Sequence, residues 1–306
     1  MKTLHFVRHG ETEQNKDGIW QGHTNTQLSK VGKAQAKHLS DRLNLKNQIV
    51  FTSDLARAKE TAYFLSDSPI VRQNLREINV GDFTGESVKE TYSNNLDIFD
   101  ALQDDTYVFP NGESVEEFKV RVQQEVDHIF GNIDEGSECI VVTHGFFIGT
   151  AIGLVLGFNQ YPYPIGNIQN TSVSTIIKRD SVMQVNKFND AIHLPDSYID
   201  YPTKDRSKIL TFIRHGQTDS NTQGVWQGNI DNPLNTYGVE TAKELQGKFS
   251  NYDLYLSSSF KRAFETISLI VSNKDITSTD LLAEMDLGQW EGLSTSEIME
   301  NYNIKR

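Results

Sequence analysis

Residues 2–12 read KTLHFVRHGET, and residues 208–218 read KILTFIRHGQT. Such a repeat constrains the fold more than composition does, because each copy must build the same local structure from the same residues. The match continues well beyond the opening motif. His9 aligns with His215, Asn15 with Asn221, Trp20-Gln21-Gly22 with Trp226-Gln227-Gly228, Leu28 with Leu234 and Gly32 with Gly238. After one deletion, Arg57-Ala58 meets Arg262-Ala263 and Glu60-Thr61 meets Glu265-Thr266; further on, Glu77 meets Glu284 and Gly85 meets Gly292. Arg306 then corresponds to Phe99, so Glu113, Ser114 and the segment Val141-Val142-Thr143-His144-Gly145 have no second counterpart. The chain therefore reads as one and a half copies of one unit. The expected division is a complete domain over 1–190, a linker over 191–207 and a truncated second domain over 208–306.

A length of 306 residues suits about two domains. The formal net charge of −12, without any basic block, argues against a nucleic-acid or anionic-membrane surface. Cys139, the single cysteine, adjoins the apolar run Ile140-Val141-Val142 and reads as a buried, unreactive thiol. No apolar run approaches the roughly 18 residues of a membrane span, and the N-terminus opens directly into a strand pattern. A cytoplasmic protein is expected.

The first strand pattern is Leu4-His5-Phe6-Val7, followed by a helix after Ser29 through Val31, Ala34, Leu39 and Leu43. A strand at Ile49-Val50-Phe51 leads to Ser53-Asp54, an expected N-cap that places Arg57 in the first turn of the next helix. Ser114 and Glu117 form a capping-box pattern ahead of Phe118, Val122, Val126 and Ile129. Cys139–Val142 is a buried strand, and 173–178 with 182–188 form a closing hairpin around Arg179-Asp180. Strands alternating with helices predict a three-layer α/β/α sandwich with a mostly parallel sheet. A partial repeat of the same fold follows, with strand, helix, strand and helix near 208–213, 236–248, 253–257 and 260–271. The polar, Pro-bearing stretch from Asn189 to Ser207 reads as the connection.

Arg8, His9, Arg57, Glu77 and His144 fall after strands or in a first helical turn, and the carboxyl ends of the strands of an open α/β sheet form its ligand crevice. Guanidinium forks match phosphate oxygens, and helix N-termini add aligned backbone donors, so a phosphoryl group fits best. A carboxylate would repel that ligand unless protonated. Burial and a neighbouring phosphate raise a carboxyl pKa, which suits Glu77 to general-acid work. His9 is then the candidate nucleophile, with Arg8, Arg57 and His144 stabilising phosphoryl charge. A zinc site from His5, His9 and His144 is a weaker alternative, because no close-spaced Cys/His pair exists and Arg8 would repel the ion. His23, His38, His128 and His193 read as surface or loop residues.

Together these motifs resemble the histidine phosphatase superfamily, the phosphoglycerate mutase-like proteins. The resemblance rests on Arg8-His9-Gly10-Glu11-Thr12 with Asn15, Gln21-Gly22, Leu28 with Gly32, Ser53 to Ala58 with Thr61, Glu77 with Gly81, Gly112-Glu113-Ser114 and Thr143-His144-Gly145. It covers 1–190, and its front half recurs over 208–306. It implies His9 as the phosphorylated nucleophile, Arg8, Arg57 and His144 as phosphate ligands, Glu77 as proton donor, and Asn15, Gln21, Gly22 and Thr143 as pocket residues. No metal or cofactor is implied. The first copy departs at Phe83-Thr84-Gly85, where Trp290-Glu291-Gly292 in the second keeps the family's aromatic-Glu-Gly. In the second copy, Arg214, His215, Arg262 and Glu284 form a degenerate site, with Gln217 and Ser259 replacing the residues found at Glu11 and Asp54.

The expected activity is a phosphomonoesterase using a phosphohistidine intermediate on a small phosphorylated metabolite. Phosphoglycerate mutase-type transfer and a non-catalytic phosphate-binding scaffold are the alternatives. Cofactor-dependent mutases of this resemblance carry a long insertion between the acid and the Gly-Glu-Ser motif, whereas Glu77 to Ser114 is short. Residues 86–112, with Tyr92, Phe99, Tyr107 and Phe109, are read as a small substrate-shaping lid. The half-sheet of the second domain would expose an unpaired edge, so a homo-oligomer through it is a further expectation.

Overall fold

Period-two burial along the strands decides the architecture. In β1 (Lys2–Arg8), Leu4 and Phe6 enter one core with Phe51, Cys139, Val141 and Ile176, while Val7 enters a second with Val50, Ile140, Val142 and Val173. The first core is closed by α5 (Val115–Asn132) through Phe118, Val122, Val126 and Ile129, and by α6 (Gly145–Val155) through Phe147 and Ile148. The second is closed by α2 (Lys30–Leu43) through Leu39 and by α3 (Ala56–Tyr63) through Ala58 and Ala62. A sheet with both faces apolar must be covered on both, giving three layers.

The computed structural model describes residues 1–43, 48–94, 106–158, 167–198, 210–249, 251–272 and 274–303. The chain divides into two compact units, Met1–Pro202 and Thr203–Arg306. In the first, β2 is Ile49–Thr52, β3 Ile70–Val71, β4 Glu138–Thr143, β5 Val173–Arg179 and β6 Val182–Asp190, in the order β3-β2-β4-β1-β5-β6. The strands β1 to β4 run parallel, and β5 and β6 add the expected antiparallel hairpin.

Local chemistry places the helices. Both expected N-cap serines ahead of α2 and α5 are present: Ser29 Oγ accepts from Gly32 N at 3.0 Å, and Ser114 and Glu117 complete their reciprocal box at 3.1 and 2.9 Å. Gly32 lets the first turn of α2 lie against the loop after His9, because a Cβ there would sit 2.1 Å from the Glu11 carbonyl oxygen. That contact rotates the buried face of α2 to Gly32, Gln35, Ala36 and Leu39, away from the predicted Val31 and Ala34. The predicted Ser53-Asp54 cap of α3 is also not formed as expected. Leu55 occupies the cap, because the Asp54 carboxylate is engaged by both guanidinium nitrogens of Arg76, at 2.7 and 2.6 Å.

Two further expectations give way to packing. The expected linker begins later, since Leu194 is buried, Arg42 makes a bidentate pair with Asp190, and His193 bonds Thr171 Oγ1 at 3.1 Å. Residues 199–207 lie outside the described residues. Among the expected lid aromatics, Phe109 is a core residue against Trp20, Phe83 and Tyr107, while Phe99 and the Tyr92 side chain lie outside the described residues. The short helix α4 (Val88–Asn94) is the regular element of that region among the described residues.

The second unit contains α7 (Asp219–Gln223), α8 (Thr236–Glu244), α9 (Lys261–Ile270) and α10 (Thr295–Asn301), with β7 (Tyr255–Ser258) parallel to β8 (Ile276–Thr279). The strand expected over 208–213 is absent among its described residues, 210–213. In the first unit β1 lies between β4 and β5, and neither has a counterpart in residues 210–303. Leu4 and Phe6 are fully buried there, whereas Leu210 and Phe212 are 80% and 85% exposed. A β-favouring sequence forms no ladder without a neighbour.

Candidate active site

Parallel pairing sets Arg8 opposite Thr143, so the residues that follow, His9 and His144, leave their strands side by side. The His9 amide donates to the Thr143 carbonyl at 2.9 Å, and the two imidazole centroids stand 5.2 Å apart. On the other side of β4, the Ser53 amide donates to the Val142 carbonyl at 3.0 Å, bringing Ser53 Oγ within 2.9 Å of His144 Nε2. Arg57, in the first turn of α3, is 1% exposed and donates through its two terminal nitrogens to the carbonyls of Thr24 and Gly22, at 2.7 and 2.9 Å. Its remaining nitrogen, Nε, points at His9 Nε2 from 3.2 Å. The Thr61 hydroxyl ties this arrangement together by accepting from Gly10 N at 3.0 Å and donating to the Arg57 carbonyl at 2.8 Å.

These partners fix the His9 tautomer. A carbonyl can only accept, so Nδ1, 2.7 Å from the Gly10 oxygen, carries the proton; a guanidinium can only donate, so Nε2 presents its lone pair. Burial first, then the Arg57 and Arg8 charges, hold the His9 pKa well below its ordinary value and keep the ring neutral. His144 is lowered in the same way, by burial and then by Arg57, His9, Arg8 and His23. With Ser53 at Nε2, its buried Nδ1 has no hydrogen-bond partner among the described residues, and an oxyanion would satisfy it. Burial also brings the Arg57 pKa down to about 10, partly offset by Glu77.

Glu77 follows the short turn Gln73–Leu75 and is partly exposed. Its Oε2 accepts from the Phe146 amide in the first turn of α6 at 3.2 Å, and Oε1 accepts from Ile78 N at 3.1 Å. Burial raises its pKa against the opposing pull of the Phe146 amide, Arg57, the Ile78 amide and Arg8. The site thus joins an unprotonated nucleophilic nitrogen, a ring of cationic and neutral donors, and a carboxyl biased toward its protonated form.

The structure brings together Arg8, His9, Arg57, Glu77 and His144. Arg8 donates to the Ile168 carbonyl and, at 3.5 Å, to Asn167 Oδ1. The Asn15 amide oxygen accepts from the Thr12 amide at 3.2 Å, and the Gln21 amide oxygen accepts from the Thr12 and Thr26 hydroxyls at 3.1 and 2.7 Å. Gly22 contributes its carbonyl to Arg57. Thr143 turns its hydroxyl to the Leu75 carbonyl at 2.7 Å and acts on the site through its own carbonyl. His5 does not join the other histidines. It bonds Thr175 Oγ1 at 3.0 Å and lies 3.5 Å from Glu138, and no cluster of three metal-binding side chains occurs among the described residues.

Two of the histidines read as peripheral are otherwise. His193 is half-buried between Arg42 and Thr171, and His23 reaches the Glu77 carbonyl at 2.8 Å. His23 and Arg121 carried no distinguishing signal, and Ser53 was read only as a helix cap and part of the family motif, because each acts through a partner brought near only by folding.

The second unit repeats the backbone bonds of the cradle, although no bond from Arg262 Nε to His215 matches that from Arg57 to His9. His215 Nδ1 faces the Gly216 carbonyl at 2.7 Å, Gly216 N donates to Thr266 at 2.9 Å, and Arg262 donates to the Gly228 and Ile230 carbonyls at 2.9 and 2.8 Å. Arg214 and Glu284, by contrast, are exposed.

The family model of the histidine phosphatase superfamily (branch 1) matches residues 4–191 and again 210–305. The chain belongs to that superfamily, and it is an enzyme of the phosphatase class. It is 31% identical over 199 residues to a metal-independent phosphoserine phosphatase of Arabidopsis thaliana, covering 62% of this chain and 82% of that protein. It is 29% identical over 190 residues to a probable phosphoglycerate mutase of Enterobacter, covering 59% and 87%. Among solved structures, phosphoserine phosphatase from Entamoeba histolytica in complex with phosphoserine superposes with a TM-score of 0.56 at 27% identity, covering 64% of this chain and all of that one. No helix among the described residues is long and apolar enough to cross a membrane.

The lowered pKa values and fixed tautomer are directly measurable. At pH 6.5, nitrogen chemical shifts of the imidazoles should show His9 and His144 neutral, with His9 protonated at Nδ1; a charged His9 ring at that pH would contradict the arrangement.

Proposed function

We propose that the first unit hydrolyses small phosphomonoesters through a phosphohistidine at His9. The observation that carries this reading is the Nε2 lone pair of His9, held by Gly10 on the opposite nitrogen and faced by the Arg57 guanidinium. In the first step, Nε2 attacks phosphorus as the ester P–O bond breaks, and Glu77 transfers its proton to the departing alkoxide oxygen. Arg8, Arg57 and His144, with the amides of Asn15 and Gln21, receive the phosphoryl oxygens. In the second step water attacks phosphorus, its proton returns to the Glu77 carboxylate, the N–P bond breaks and phosphate leaves.

Relatives named as phosphatases and as probable mutases both occur, and the two chemistries differ only in what accepts the phosphoryl group. The short span from Glu77 to Ser114 favours water as the acceptor. A solved relative holding phosphoserine makes a small phosphorylated amino acid or hydroxy acid the class to test first. A pure binding protein would need neither a poised lone pair nor a proton donor beside the phosphate. We place the division of labour between units as a complete domain before the connection and a repeat whose Arg214, His215, Arg262 and Glu284 form a degenerate site.

Replacing His9 with Ala should abolish turnover, and alkaline quenching of the wild type, which spares the acid-labile N–P bond, should trap phosphate on His9 alone. Label on another residue, or turnover surviving in His9→Ala, would overturn the assignment. Glu77→Gln should slow alkyl phosphates by about a hundredfold or more while sparing 4-nitrophenyl phosphate, whose leaving group needs little protonation. Because a raised Glu77 pKa keeps the acid protonated up to a higher pH, the basic limb of the wild-type alkyl-phosphate profile should lie above the usual carboxylate range and vanish in that variant. In the 306-residue chain, His215→Ala should leave turnover nearly unchanged, since losing a phosphate ligand such as His144 costs on the order of a hundredfold. A loss of half the activity would mean that the second cradle also turns over substrate.

A further inference from the structure

His23 belongs to no motif used so far, yet it lies on a continuous hydrogen-bonded path from the nucleophile to the acid. Arg57 contacts His9 through Nε and clamps the turn on either side of His23, through the carbonyls of Gly22 and Thr24. From that clamped turn the imidazole extends to the Glu77 carbonyl oxygen, 2.8 Å from Nε2. The oxygen can only accept, so Nε2 carries the proton. Arg121 of α5 supplies a second donor to the same oxygen at 3.2 Å, held in place by Glu113. The Glu77 carboxyl is itself tied to the peptide that follows, through Ile78 N, and to Phe146 N. Whatever fixes the 77–78 peptide therefore fixes the carboxyl.

We propose that His23 is a positioning residue for the proton donor, holding the Glu77 peptide so that its carboxyl meets the departing oxygen. The second unit gives an internal comparison. There Asn229 replaces His23, Arg262 still clamps the carbonyls of Gly228 and Ile230, and Glu284 keeps its bond from the next amide, at 3.0 Å from Met285 N. Yet Glu284 is exposed. The turn and the local carboxyl bond survive without the histidine and Arg121, whereas burial of the acid, which in the first unit also draws on α6 through Phe146 N, is lost.

The inference rests on the proposed reaction, and the two can be tested separately. His23→Gln keeps a donor at similar reach, whereas His23→Met fills the space without one; both are compared with wild type in the full chain on 4-nitrophenyl phosphate and phosphoserine across pH. Arg57 and Arg8 face the Glu77 carboxyl, and Arg76, Arg121 and Glu113 lie on its backbone side; all remain in both variants. His23→Met should lower kcat on phosphoserine about tenfold with little change in KM or in nitrophenyl turnover. As water reaches the loosened carboxyl, its basic limb should move to lower pH, and His23→Gln should recover most of both effects. Equal losses on the two esters with an unmoved limb, or no recovery with Gln, would overturn the role of His23. If Glu77→Gln itself shows no leaving-group dependence, the reading of Glu77 as acid fails instead.

Discussion

The parallel register between β1 and β4 is the constraint on which the site depends. With Arg8 opposite Thr143, the two histidines emerge together at the carboxyl edge; a slip by one residue would send one of them to the opposite face of the sheet. That register is enforced far from the site, by Leu4 and Phe6 in one core and Val7 in the other. Each such side chain contributes about 1.5–3 kcal/mol relative to exposure, so a slipped pairing would lose several at once. Leu4, Phe6 and Val7 are thus part of what sets the site's geometry although none of them is a site residue.

Charge in the pocket is balanced by commitment rather than by pairing. A buried guanidinium is costly unless it is hydrogen-bonded, and Arg57 engages each of its three nitrogens, two with backbone carbonyls and one with a neutral imidazole. Neutral partners leave its charge uncompensated, apart from Glu77, whose burial favours protonation. On the proposed reaction, an incoming phosphate dianion would supply the counter-ion that these groups lack. With a chain net charge of −12, this attraction is local, acting over about the 8 Å that salt permits.

What was legible in the sequence follows the same distinction between local and tertiary causes. The Arg-His-Gly turn, the helix carrying Arg57, the serine caps of two helices and the closing hairpin are set by neighbours in the chain, and each is visible there. The strand expected at 208–213 carries the same apolar pattern as β1, but a strand is a property of a pair, and its partners are not in residues 210–303. Asp54 looked like a cap until folding brought Arg76 beside it. Phe109 looked like a lid until Trp20 and Phe83 packed on it. The site contacts of His23 and Ser53 were unreadable for a further reason. Their partners are a backbone carbonyl and a histidine 91 positions away, and neither leaves a spacing signature.

The repeat turns that distinction into a comparison within one chain. Both copies hold the histidine ring by its own following carbonyl, the next glycine amide by a threonine, and the arginine by two turn carbonyls, at distances within a few tenths of an ångström. Both also need glycine where the loop meets the helix, since a Cβ at Gly32 or Gly238 would lie 2.1 or 2.2 Å from a carbonyl oxygen. The second copy achieves this with no strand next to its histidine among the described residues. The cradle is therefore a self-contained local structure, encoded in about the first sixty residues of a copy, and it needs the sheet only to be given its partners. Burial of the acid and the second histidine are different in kind: they arise when β4, α5 and α6 arrive, and only then does the serine before α3, which both copies carry as Ser53 and Ser258, find a histidine partner. On the proposed mechanism, the nucleophile is thus held by its own segment, whereas proton delivery to the leaving group is a property of the whole domain.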